Sequence, residues 1–147
     1  MAEAATIPPL LNDFMRFVLR SPLHGMVSKS VLLITFTGRK SGKRFTTPVS
    51  YSFDGDQVMI FSHAEWWRNL CGGSPVTLRL SGRSVEGTAE VVADDKRAVA
   101  AGLLTHLSKV RSDARYYGVT FDEQGHPKAI DAEAAAQNVV MIRVRLH

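Results

Sequence analysis

Apolar and polar positions repeat with two different periods along this chain, and each change of period marks an element. Val31-Leu32-Leu33-Ile34 is apolar at every position and then gives way to alternation, which predicts a buried strand over 30–37. Thr46 to Phe53 predicts a second strand, and Asp54-Gly55-Asp56 a hairpin turn. A third strand follows over 57–62, with Val58 and Ile60 on one face and Met59 and Phe61 on the other. Links this short predict an antiparallel meander. A short helix is expected over 63–71, ended by Gly72-Gly73-Ser74-Pro75. Strands over 75–80 and 84–92 flank a Ser81-Gly82-Arg83 turn. In the fifth strand Val85, Gly87, Ala89 and Val91 share one face. The small Gly87 and Ala89 would either admit a ligand or second subunit, or mark a bend or tight packing, and the latter is the expectation.

Helical spacing occurs twice. Pro8-Pro9 opens a segment in which Leu10, Phe14, Phe17 and Val18 share a face, with Asp13 early and Arg16 and Arg20 late. Pro22 and Gly25 stop it. Packing on a barrel is the expectation for this helix, ahead of a membrane-surface or substrate-covering role. Asp94-Asp95 caps a second helix that runs to about Val110, with Ala98, Ala101, Leu104 and Leu107 as its apolar face. The stretch 111–118 reads as irregular and carries Tyr116-Tyr117, and a helical turn is expected over 132–136. In the last strand, over 138–146, Val139, Met141, Val144 and Leu146 mix with arginines, which predicts an edge or half-solvated position. Six strands with flanking helices predict a mainly β (α+β) fold, a small antiparallel barrel forming a single domain over 1–147.

Composition narrows the chemistry. An apolar fraction of 45% and a charged fraction of 22% are ordinary for a soluble globular chain. No run of about 18 apolar residues is present, and the first residues lack the pattern of a signal peptide, so a cytoplasmic location is expected. The single cysteine, Cys71, excludes an intramolecular disulfide and a cysteine-rich metal site. The histidines (His24, His63, His106, His126 and His147) lack metal-ligand spacing, so no metal is expected. Gly72-Gly73-Ser74 lacks the flanks of a nucleophile elbow. An enzyme of this composition would rely on a borrowed redox cofactor. The net charge of +4 favours anionic partners. The cations are dispersed except between Thr35 and Tyr51, where Gly38 and Gly42 accompany Arg39, Lys40, Lys43 and Arg44. Such a turn offers the donors that hold phosphate or carboxylate, although taken alone it also reads as a solvated basic hairpin. No nucleic-acid-binding signature is present, and nucleic acid is not an expected partner.

Thr37-Gly38-Arg39-Lys40-Ser41-Gly42, Thr46-Thr47-Pro48-Val49-Ser50-Tyr51, and Glu65-Trp66-Trp67-Arg68-Asn69-Leu70 with Pro75 together form a specific combination. It resembles the deazaflavin (F420)-dependent nitroreductase family of the flavin/deazaflavin oxidoreductase superfamily, over about 31–92. The resemblance implies an FMN-binding-protein-like split β-barrel and coenzyme F420, an 8-hydroxy-5-deazaflavin that donates hydride and carries an anionic phosphate and glutamate tail. The acceptor would be a small organic molecule such as a quinone, nitroaromatic or enone. By the same resemblance Arg39, Lys40 and Ser41, with Arg44 nearby, would meet the tail. Thr46, Thr47, Pro48 and Val49 would line the ring edge, Ser62 and His63 would add tail contacts, and Trp66 would pack beside the cofactor. Tyr116 and Tyr117 would be the catalytic pair over the substrate pocket. Trp67 is expected to pack helix against barrel.

Three departures accompany the match, one of them the poor fit of the C-terminal third of the chain to the quinone-reductase branch. Phe45 stands where the family has an arginine before Thr-Thr-Pro, and Arg44 would point to the opposite face unless a bulge intervenes. The chain also runs from Phe61 to Trp66 without the lysine-containing insertion of many relatives. Same-fold alternatives are a protein binding FMN, FAD, haem or another tetrapyrrole, and a non-catalytic carrier of fatty acids or other small molecules. Relatives that pair as homodimers, and others that associate with membranes, leave a homodimer and peripheral membrane contact open.

Overall fold

Strand alternation sends every second side chain inward, and here six such strands curl into a closed antiparallel barrel. The computed structural model describes residues 30–147; the helix expected over 10–20 lies outside them. The strands are β1 (Val31–Thr37), β2 (Arg44–Asp54), β3 (Gln57–Ser62), β4 (Ser74–Leu80), β5 (Arg83–Val92) and β6 (Val140–Leu146). Around the barrel they run β1-β2-β3-β6-β5-β4. The segment expected as a helix over 63–71 is a 3-10 helix, Glu65–Leu70, that abuts one end of the barrel. Helices α1 (Lys96–Lys109), α2 (Ala114–Tyr117) and α3 (Ala129–Ala136) follow β5.

Two apolar layers share β3. Val58 and Ile60 join Leu32, Ile34, Phe36, Tyr51, Leu78 and Ile142 inside the barrel. Met59 and Phe61 point outward and pack with Val99, Leu103 and Leu107 of α1 and Ala132 and Ala136 of α3. The expected apolar stripe on α1 is rotated. Val99, Ala100, Leu103, His106 and Leu107 are buried, whereas Ala101 is exposed and Ala98 and Leu104 are only partly covered. Alanine-rich sequence fits more than one stripe, and a histidine bonded at both ring nitrogens belongs to the buried face despite its polarity.

The last strand is not an edge. β6 lies between β3 and β5, paired with the first from Val140 to Arg145 and with the second from Met141 to Leu146. Its arginines are tolerated because they point outward. Arg143 bonds Gln57 at 2.8 Å and Asp54 at 2.6 Å, across the end of the β2–β3 hairpin. Gly87 reflects tight packing and leaves no room for a ligand: a Cβ there would lie 2.7 Å from Val144 Cγ1 and 2.9 Å from the Arg145 carbonyl oxygen.

Gly87→Ala should therefore destabilise the barrel by about 1–3 kcal/mol, because backbone cannot yield. Gly102→Ala, which meets the flexible Met141 thioether, should cost less; denaturant unfolding of both variants checks the order. The Arg143 hydrogen bond and charge hold the Asp54 carboxyl below its ordinary range. A depressed carboxyl contributes stability above its unfolded-state value, about 3.9, and loses that contribution as pH falls through its folded value. Thermal scans from pH 6 to pH 2 should show a stability gap between wild type and Asp54→Asn that closes toward acid.

Candidate functional site

The register of β1 on β2 decides which groups of β2 are available. Pairs run one to one from Val31↔Ser50 to Thr37↔Arg44 with no bulge in this ladder. The Tyr51 N–H donates to the Ser30 carbonyl, so the odd residues of β2 aim their backbone groups at β1. The even residues, Arg44, Thr46, Pro48 and Ser50, aim theirs the other way. On that side β3 pairs only with Tyr51 to Asp54. Among the described residues, the first half of β2 thus presents an open backbone edge. Pro48, which has no N–H, falls where no ladder bond to β1 is lost.

Side chains divide by the same parity. Phe45 and Val49 pack on the barrel core, and Thr47, two residues from each, shares their face. Arg44, Thr46 and Pro48 lie on the outer face, where Thr46 Oγ1 and Thr35 Oγ1 share a hydrogen bond of 2.8 Å. The sequence-predicted group of Thr46, Thr47, Pro48 and Val49 is therefore split between two faces. Phe45 stacks on Phe36 at 5.6 Å, and Phe36 stacks on Trp66 at 5.2 Å, so the position expected to hold arginine serves the core. Arg44 points away from it, as continuous alternation requires.

The basic turn is tied to the 3-10 helix. The Gly38 N–H donates to the Lys43 carbonyl and the Gly42 N–H to the Gly38 carbonyl, which closes the turn. Gly38 permits this closure, since a Cβ would meet the Phe45 ring at 2.8 Å and Ser41 Oγ at 2.9 Å. Ser41 Oγ accepts from the Lys43 N–H, and the Arg39 N–H donates to Asn69 Oδ1 at 3.0 Å. Asn69 Nδ2 in turn donates to the Trp66 carbonyl. Arg39 and Lys40 then border a cleft of about 300 Å³ with Ser41, Phe45, Glu65, Arg68 and Asn69. A second cleft of about 510 Å³ runs between Thr37, Arg39, Arg68, Asn69, Cys71 and Ser74. Arg68 and Asn69 were not among the expected site residues, though the sequence placed them in the tryptophan motif. Trp66 and Trp67 both pack against the barrel core, and Arg68 lies over the Trp67 ring at 4.6 Å.

Ser62 and His63 diverge. Ser62 is buried and its Oγ accepts from the Ala64 N–H at 3.0 Å. His63 is exposed and packs on Tyr116 and Tyr117, with ring centroids 5.2 and 5.5 Å away. Tyr117 is buried and donates to the Phe61 carbonyl oxygen. Burial, with the neighbouring Asp113 and Tyr116, pushes its phenol far above the ordinary value, so it stays protonated. Tyr116 is 70% exposed.

A buried polar chain, absent from the sequence reading, fixes where these tyrosines sit. Ser52 Oγ bonds His106 Nδ1 at 2.7 Å, and His106 Nε2 bonds Asp113 Oδ2 at 2.8 Å. The same carboxylate oxygen accepts from Ser50 Oγ. His106 is fully buried and Ser52 is 5% exposed, so this serine and histidine are closed to substrate, whereas Asp113 is partly exposed. The chain docks the Arg111–Tyr117 segment beside the open half of β2. The only sequence signal for it was a histidine on the late helix, with an aspartate just beyond the helix end. Among the described residues, no cluster of metal-ligating side chains occurs, and no helix is long and apolar enough to cross a membrane.

Comparison with known proteins places this geometry. The model of a family described as F420H(2)-dependent quinone reductase matches residues 20–123, more than half of the chain. Among solved structures, one titled F420 reductase superposes with a TM-score of 0.50 at 13% identity, covering 80% of this chain and 86% of its own. A FAD-binding protein from Mesorhizobium loti gives 0.50 at 19% identity, with 86% and 90% covered. A heme storage protein from Vibrio cholerae gives 0.51 at 11% identity, with 86% and 89% covered. These likenesses show the fold, the FMN-binding-like split barrel. No curated protein matches in sequence.

The buried chain yields a stability prediction. His106→Ala leaves Ser52 and Asp113 without their shared partner, and should cost about 2–4 kcal/mol in urea unfolding at pH 7. A loss below about 1 kcal/mol would show that the network does not couple α1 to the barrel.

Proposed function

The chain belongs to the F420H(2)-dependent quinone reductase family, a family of oxidoreductases, and from this we propose that it reduces a quinone or a similar small acceptor, a nitroaromatic or an enone among them, with reduced F420. The observation that carries this reading is the placement of unpaired cations next to an open strand edge. Among the described residues, the Arg39, Lys40 and Lys43 side chains make no ion pair, and Arg39 and Lys40 line the cleft beside β2. A phosphate with carboxylates beyond it is the kind of ligand such a turn holds by charge-assisted hydrogen bonds. The residues present therefore fit the anionic tail of F420.

When bound, the coenzyme supplies a hydride, and the acceptor takes up that hydride and a proton. The chain's own groups divide the remaining work. Arg39, Lys40 and Ser41 anchor the tail. Thr46 and Ser50 offer backbone N–H groups along the open edge, suited to polar ring atoms, while Arg44, Thr46 and Pro48 flank them on the outer face. Thr47 and Val49 hold the strand to the barrel. Tyr117, protonated and bonded to Phe61, supports the neighbouring Tyr116 and His63. Tyr116 presents an exposed phenol that can donate to an acceptor oxygen. Ser62 shapes the turn into the 3-10 helix, and Trp66 backs the site from the core.

Titration with F420, FMN and haem, read by tryptophan quenching, tests the reading. We expect saturable quenching by F420 at micromolar concentration. Arg39→Ala combined with Lys40→Ala should weaken it about 10- to 100-fold, as loss of charged hydrogen bonds implies. Preference for FMN or haem would keep the fold and replace the chemistry. Undiminished F420 affinity in the double variant would remove the turn from the site.

A further inference from the structure

We propose that Arg68 is an additional cation of the anion site and that Glu65 is its built-in competitor, so that the site takes a ligand with more than one anionic group and exchanges Glu65 for it. The inference rests on the cofactor reading above and deepens it. Both clefts at the basic turn are lined by Arg39 and Arg68 together, with Gly38 and Asn69 between them. The bond from the Arg39 N–H to Asn69 Oδ1 fixes the turn to the helix that carries Arg68. These two cations are therefore held at a shared wall by backbone, whatever their side chains do.

Arg68 is engaged, but in a way that a ligand can displace. Its Nε donates to Glu65 Oε1 at 2.6 Å, and its guanidinium carbon lies over the Trp67 ring, 4.6 Å from the centroid. The two terminal amino groups of the fork are not used in that ion pair. The partners are 51% and 74% exposed, and an exposed pair at this spacing is weakly held. Trp67 holds the guanidinium by a contact that does not involve Glu65, so one hold on Arg68 remains when its carboxylate partner changes. Glu65 lines the cleft with Arg39 and Lys40 and repels an incoming anion there. Removing the carboxylate should strengthen binding, and removing the guanidinium should weaken it. Two adjacent surface substitutions of opposite sign are hard to obtain from a general loss of structure.

The test uses the full chain with Glu65→Gln and Arg68→Gln. Each is titrated with F420, with a deazaflavin lacking the phosphate and glutamate tail, and with inorganic pyrophosphate. We expect Glu65→Gln to tighten F420 about 3- to 10-fold and Arg68→Gln to weaken it about 10-fold. Neither should alter affinity for the tail-less deazaflavin, and both effects should shrink in 1 M salt. Shifts in the same direction, or equal shifts for the tail-less compound, would overturn the proposal. Should wild type fail to bind F420, the cofactor reading falls, and pyrophosphate alone decides this one. Opposite-signed shifts for pyrophosphate would sustain the anion site, and none would end it.

Discussion

The site depends on one hand-over of hydrogen bonds. β2 is longer than either strand beside it, and it pairs with β1 over its first half and with β3 only from Tyr51 onward. A backbone edge must find partners or solvent. Among the described residues no strand pairs with that half on its β3 side, and the segment between α1 and α2 reaches it at Ser50, through Asp113. Ser50, at the boundary, spends its hydroxyl on Asp113 and keeps its backbone groups on the open side. The barrel can thus be closed by its ladder and still, among the described residues, leave main-chain groups of β2 outside that ladder.

The second layer makes that opening usable. β3 serves both cores, with alternate residues committed to the barrel interior and to α1. The helix layer is located against the barrel by apolar packing and, at its polar centre, by His106. Histidine suits this place because it bonds at both ends, to Ser52 on the barrel and to Asp113 on the segment beyond the helix. Position of the tyrosine pair is inherited from that bridge, and His63 reaches the same pair from β3's end. The basic turn is located independently, through Asn69. A site holds its geometry when the residues that form it are locked by packing and by hydrogen bonds from the residues behind them.

Much of the barrel was legible because strand periodicity is strict. The third strand was read to its observed ends, and small Gly87 was read as packing. What failed did so for identifiable reasons. Arginines on the last strand suggested an edge or a half-solvated position; the edge does not hold, and sequence alone cannot show that Asp54 and Gln57 wait opposite Arg143, while Arg145 on the same face is exposed. The stripe on α1 was misplaced because alanines fit either face, and because a buried histidine looks polar until its partners are known. At the site, motif residues were recognised as a string, but a strand divides a string by parity. Thr46 and Pro48 went one way and Thr47 and Val49 the other. Arg68 and Asn69 sat within a recognised motif, yet their contact with the turn is a matter of tertiary approach.

Pro48 has a consequence beyond the ligand. An uncovered strand edge is a template on which another chain can add a strand, the first step of edge-to-edge aggregation. Such addition requires alternating donors and acceptors along the exposed side. On this edge the donor at the centre is missing, since proline interrupts the row between Thr46 and Ser50. Acceptors remain and the regular ladder does not. Among the described residues, this stretch of barrel wall is thus a poor template for an added strand at Pro48, while Thr46 and Ser50 on either side keep their backbone groups towards the open side.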